Sequence, residues 1–135
     1  MEPADPPVPP TERPQFRTAE RLHNEGEYYE AHEAWEQIWT NEANDEWRIF
    51  VQGLIQVTSA FHKLFFQREP RGASRLLERG LEKLDRYPGD YLGVALGPFR
   101  DASRALLPRM ATLEPKTPAI DTLRPLVPRI SRIAH

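Results

Sequence analysis

His32 and Glu36 stand one helical turn apart in the phrase GEYYEAHEAWEQIW (Gly26–Trp39), and Gln52 and Gln56 repeat that spacing in FVQGLIQVTSAFHKL (Phe50–Leu64). Side chains at i and i+4 on a helix can meet. An imidazole beside a carboxylate can hold or pass a proton, and the same pair can ligate a metal. His32-Glu33-Ala34-Trp35-Glu36 falls one residue short of the zinc-protease helix motif, because Glu36 stands where that motif needs its second His. His62 could complete a nitrogen–oxygen site only if its helix turned that face toward His32. Its helical phase, beside Thr58 and Ile55, instead suggests an apolar flank and a satisfied core histidine. No transition metal and no cofactor is expected. His32 is expected to donate to Glu36 at the edge of the core, beside Trp39.

Gln52 and Gln56 interrupt a helix that is otherwise apolar over a wide arc. A buried amide left without partners costs about 1–3 kcal/mol, so each must meet loop backbone, a helix end, or the polar lining of a pocket. The candidate polar pocket is therefore His32, Glu36, Trp39, Gln52 and Gln56, expected to behave as one coupled network between the two helices. Glu20-Arg21-Leu22-His23 has the Glu-x-x-His spacing of di-iron bundles, but no second copy accompanies it. No catalytic set is completed, since neither a glycine-rich phosphate loop nor a zinc-ribbon spacing is present.

Composition narrows the field further. The 135 residues contain no Cys, which removes disulfides, thiolate metal sites and a Cys nucleophile. The net charge of -2 offers no basic field for nucleic acid. No apolar run approaches the roughly 18 residues of a membrane span. MEPADPPVPP has neither the basic start nor the apolar stretch of a secretory signal, so a cytoplasmic setting is expected.

These residues need helices to position them. Apolar residues at i, i+3, i+4 spacing predict helices over about 16–25, 27–41, 46–67 and 70–86, with a fifth from about residue 98. Gly26 is the expected left-handed stop of the first, and Asp45 the expected N-cap of the third. Gly53 lies where a close helix contact would offset its weak helix propensity. Pro108 should kink the fifth helix or end it early. Residues 91–97 read as a loop, and no strand is predicted. Residues 1–14, with six Pro, are expected to be a disordered tail. Residues 15–113 are the expected helical domain. Residues 114–135, again rich in Pro, are expected to extend over the bundle or trail from it, with one helical turn near Ile130.

The two phrases above, followed by RGASRLLERGLEKLDRYP, resemble the bacterial and archaeal domain of unknown function numbered 309. The residues that carry the likeness are Ala31, His32, Glu36 and Trp39, then Gln52, Gly53, Leu54, Ile55, Gln56, Ala60 and His62. Gly72, Ala73, Leu76, Leu77, Gly80 and Leu81 complete it. The resemblance covers roughly Phe16 to Tyr91. It implies a small all-helical bundle and no activity. Gly26 to Ala31 is also similar to the inner turn of a tetratricopeptide repeat, but the 42 residues from Ala31 to Ala73 exceed the ~34-residue period of that repeat. The expected fold is thus all-α, a compact bundle of about five helices built from hairpins, with tetratricopeptide-like packing of the central ones.

Two functions from different classes remain. The favoured one is a non-catalytic helical module that binds a protein partner or pairs with itself, because a wide apolar third helix and three Trp can leave aromatic surface exposed. The alternative is a small enzyme, or a ligand- or metal-binding protein, using His32, Glu36, Gln52 and Gln56. It requires those side chains to converge on one closed pocket.

Overall fold

A computed structural model describes residues 7–133. Five α-helices lie among them: α1 (Pro14–Asn24), α2 (Tyr28–Asn41), α3 (Asp45–Phe65), α4 (Pro70–Leu84) and α5 (Leu96–Met110). Each packs mainly on its neighbours in sequence, as hairpins joined by short turns must. The fold is the all-α bundle that the periodicity predicts. The core runs along α3, whose Phe50, Leu54, Val57, Phe61 and Leu64 are almost wholly buried.

The first turn obeys local rules closely. Gly26 has φ +79°, its N–H donates to His23 O at 3.0 Å, and Glu27 N–H donates to Leu22 O at 2.9 Å. These are the paired bonds that close a helix through a left-handed residue. The cap of α3 is Asn44, not Asp45: its Oδ1 accepts from Trp47 N–H at 3.0 Å. A cap must reach the N–H three residues on, and Asp45 instead sits in the first turn, where its charge favours the helix dipole.

α3 and α4 meet backbone to backbone. A Cβ at Gly53 would lie 2.8 Å from Leu84 Cδ2, and one at Gly80 would lie 2.9 Å from both Gly53 O and Val57 N. The close approach predicted for Gly53 is thus made by two glycines. α5 runs on for two residues past Pro108 before it ends at Met110.

Two segments depart from the sequence expectations, and a third differs from them in local form. Residues 91–97 include a two-residue antiparallel pair, β1 (Asp90–Tyr91) and β2 (Val94–Ala95), joined through Leu92 and Gly93 at φ 50° and 85°. Positive φ at both loop residues is the twist-matched hairpin turn. Strand-like pairing therefore exists where none was predicted, and the C-terminal segment extends it through Ala95 N–H to Ser131 O and Ile133 N–H to Gly93 O, each 2.8 Å. Within the expected N-terminal tail, Pro10–Glu12 forms a 3-10 turn. Thr11 is fully buried there, with its hydroxyl donating to Leu92 O at 2.8 Å and its carbonyl accepting from Arg132 at 2.8 Å. Residues 1–6 of that expectation lie outside the described residues. Finally, residues after 113 cover the bundle, one of the two expected courses, with Ile120, Leu123 and Ile130 entering the core. The helical turn expected near Ile130 lies instead at Pro118–Leu126, where a 3-10 segment forms, and Ile130 itself is outside any helix.

Candidate functional site

The polar stripe of α3, Gln52, Gln56, Ser59 and Lys63, is only half-buried because α2 and α4 flank it without closing over it. The result is a groove with α3 as floor and α2 and α4 as walls. At one end it opens into a cavity of about 240 Å³ lined by Tyr29 and His32 of α2, Ser59, His62 and Lys63 of α3, Gln67, and Leu76 of α4. The His62 ring lies 5.5 Å from that of Tyr29 and stacks at 5.4 Å and 20° on that of Phe66. Tyr29 and Phe66 are 53% and 55% exposed.

The electrostatics follow from this placement. Partial burial pushes the His62 imidazole below its ordinary value, and the neighbouring His32 pushes it the same way. Its Nδ1 is buried without a hydrogen-bond partner. The Glu33 carboxylate, first by hydrogen bonding and then by its charge, pushes the Tyr29 phenol up. Lys63 is held by Glu69 at 3.2 Å.

The five residues of the predicted polar pocket fall into three places. His32 Nε2 lies 3.3 Å from Glu36 Oε1 at the rim of the groove on α2. Trp39 is half-buried, with the Arg48 guanidinium 4.3 Å over its ring, and shares a shallow depression with Gln52. Gln56 Oε1 accepts from Lys83 Nζ of α4 at 2.8 Å. Among the described residues no hydrogen bond joins the His32–Glu36 pair to either Gln. His62 is misplaced by the sequence reading: it lies in the groove beside His32, not on an apolar flank. The signal for this was present, because His62 follows Ser59 by three residues and so continues the stripe Gln52, Gln56, Ser59. Tyr29, Lys63, Gln67 and Leu76 carried no signal of their own as lining residues, since their meeting depends on how three helices pack.

Glu20 and His23 go to different partners. Glu20 pairs with Arg132 at 3.1 Å. His23 is buried among Tyr28, Phe61 and Phe99. No group of three or more His, Asp or Glu among the described residues is placed to hold a metal ion.

Residues 16–76 match the family model of the domain of unknown function (DUF309). The match is a little under half of the chain. It begins where the sequence likeness begins, at Phe16, and ends within α4 at Leu76, short of Tyr91. The matched residues include Tyr29, His62 and Phe66 at the groove's aromatic end. A relative described as an uncharacterized protein from Aquifex aeolicus (strain VF5) is 28% identical over 85 residues. That stretch is 63% of this chain and 25% of the relative, so the chain spans only a quarter of that protein's length. Neither description names an activity. No helix among the described residues is long and apolar enough to cross a membrane.

Proposed function

We propose that this chain is a non-catalytic helical module that docks a protein through the groove between α2 and α4. One observation carries the reading. Tyr29 and Phe66, two of the four large hydrophobic side chains left exposed among the described residues, stand on either side of His62: Tyr29 lines the groove's cavity and Phe66 stacks on the His62 ring at its edge. Aromatic residues at the rim of an open groove are what interfaces are enriched in, and two helices over a third form the shape that receives another helix. Catalysis by His32, Glu36, Gln52 and Gln56 has less support, because Gln56 is engaged by Lys83 and the others are distributed along the groove. The chain's net charge of -2 argues for a protein partner over nucleic acid, and the reading sets the module in the cytoplasm.

A photo-reactive phenylalanine analogue at Phe66 or Tyr29 tests this in cells. The expected result is a discrete protein adduct, with none from the same probe at exposed Arg17 on α1. Equal labelling at the two faces, or none at the groove, would remove the basis of the proposal.

A further inference from the structure

The two walls of the groove carry opposite charge. α2 holds Glu30, Glu33 and Glu36, all exposed, and no Lys or Arg. On α4, Leu76 lines the cavity and Lys83 reaches Gln56 across the floor. Arg79 is three residues from Leu76 and four from Lys83, so it shares their side, and exposed Arg75 lies one turn before it. The acids of α4 point elsewhere: Glu78 and Glu82 line a depression facing α5, with Asp85 and Arg104. Several charges elsewhere in the fold are matched internally, as Arg68 is with Asp121, Arg104 with Asp85 and Arg132 with Glu20. Among the described residues Glu30, Glu33, Arg75 and Arg79 take part in no ion pair, and Glu36 meets only His32, whose attraction requires a protonated imidazole.

From this we infer that the occupant of the groove is a second copy of this chain, docked by a two-fold axis running parallel to the helices. The inference rests on the docking reading above and names its partner. Such an axis lays the α2 wall of each copy over the α4 wall of the other, so acid meets base twice in one self-complementary contact. The axis perpendicular to the helices would lay α2 on α2 and set Glu against Glu. The spacings agree. Glu33 and Glu36 are separated by about 4.5 Å along their helix and Arg75 and Arg79 by about 6 Å, so Glu33 can face Arg75 and Glu36 can face Arg79. The parallel axis also keeps each end of the groove at the same level. The exposed Tyr29 and Phe66 of one copy then meet those of the other, and all four leave water.

The test is sedimentation of the full chain across concentration, with charge-reversed pairs at exposed positions. The wild-type chain is expected to dimerise at tens of micromolar in low salt and to dissociate as salt screens the walls. E33K/E36K alone and R75E/R79E alone should each weaken pairing by about a hundredfold, since like charges then face each other. Mixed one to one, the two variants should form a heterodimer, because every wall again meets its opposite. A wild-type chain that stays monomeric at millimolar concentration would overturn the inference, as would a dimer indifferent to both reversals. The groove probe separates this failure from that of docking itself. An adduct at Phe66 with a different protein, from a monomeric chain, leaves the docking reading standing and removes self-pairing. An adduct of twice the chain's mass supports both.

Discussion

Two histidines, His23 and His62, both belong to aromatic clusters, and burial lowers the proton affinity of both. Their surroundings differ in one respect. At His23 both ring nitrogens have a partner. The Pro128 carbonyl, 3.1 Å from Nε2, can only accept, so that nitrogen carries the proton. Nδ1 is then the acceptor for the Thr58 hydroxyl at 3.4 Å, and Thr58 Oγ1 accepts in turn from Trp35 Nε1 at 3.2 Å. One chain of hydrogen bonds thus ties α1, α2, α3 and the C-terminal segment. At His62 the ring stacks on exposed Phe66 and has exposed Tyr29 tilted beside it, and its Nδ1 is unmatched. Low local dielectric strengthens a satisfied network and penalises an unsatisfied one. The first region is therefore built to hold the fold. The second keeps a cost that burial by a partner surface can reorganise.

The largest effect that bears on this contrast is truncation of Trp35. The ring is fully buried and meets Phe16 edge-on at 4.7 Å. Trp35→Ala should cost about 3–5 kcal/mol through lost burial and the cavity left behind. Phe66→Ala, at a side chain 55% exposed, should stay within about 0.5 kcal/mol. Denaturant midpoints of the two variants decide the matter, and comparable losses would mean that the groove is part of the core.

Acid should weaken the first region. Burial holds the His23 imidazole down to about 4 from 6.5. The unfolded chain takes up this proton below pH 6.5, the folded chain only below about 4. Stability from this group is therefore complete above pH 6.5, falls as pH drops from 6.5 to 4, and is constant below. At 1.36 kcal/mol per pH unit the loss amounts to about 3 kcal/mol. His23→Gln cannot titrate, so the difference in unfolding free energy between wild type and variant should shrink by that amount between pH 7 and 4. A pH-independent difference would show that His23 is charged in the fold or reached by water.

The contrast also explains what sequence alone can show. The helices are legible because each buries one stripe, and Gly26 and Gly53 because a left-handed turn and a close crossing leave few alternatives to glycine. Gly80, the other half of that crossing, becomes legible only once α3 and α4 are set against each other. Thr11 and the β1–β2 pair depend on partners near residue 92 and residues 131–133, and nothing within either segment announces them. The groove fails for the same reason. Periodicity identifies the polar stripe of α3 but not what flanks it, so spacing groups Gln56 with Glu36, whereas the fold hands it to Lys83.

That last assignment supplies the smallest and sharpest test. Glu36 and Gln56 share no hydrogen-bond partner, since one is engaged by His32 and the other by Lys83. A double-mutant cycle between Glu36→Gln and Gln56→Leu should be additive within about 0.5 kcal/mol, as separate sites are. The cycle between Gln56→Leu and Lys83→Met should show coupling of about 0.5–1.5 kcal/mol, because it removes one charge-assisted bond that is only partly shielded from water. Coupling in the first cycle and additivity in the second would restore a single network between α2 and α3. The reverse result leaves three independent polar contacts along the groove, whose common property is that α2 and α4 keep them apart.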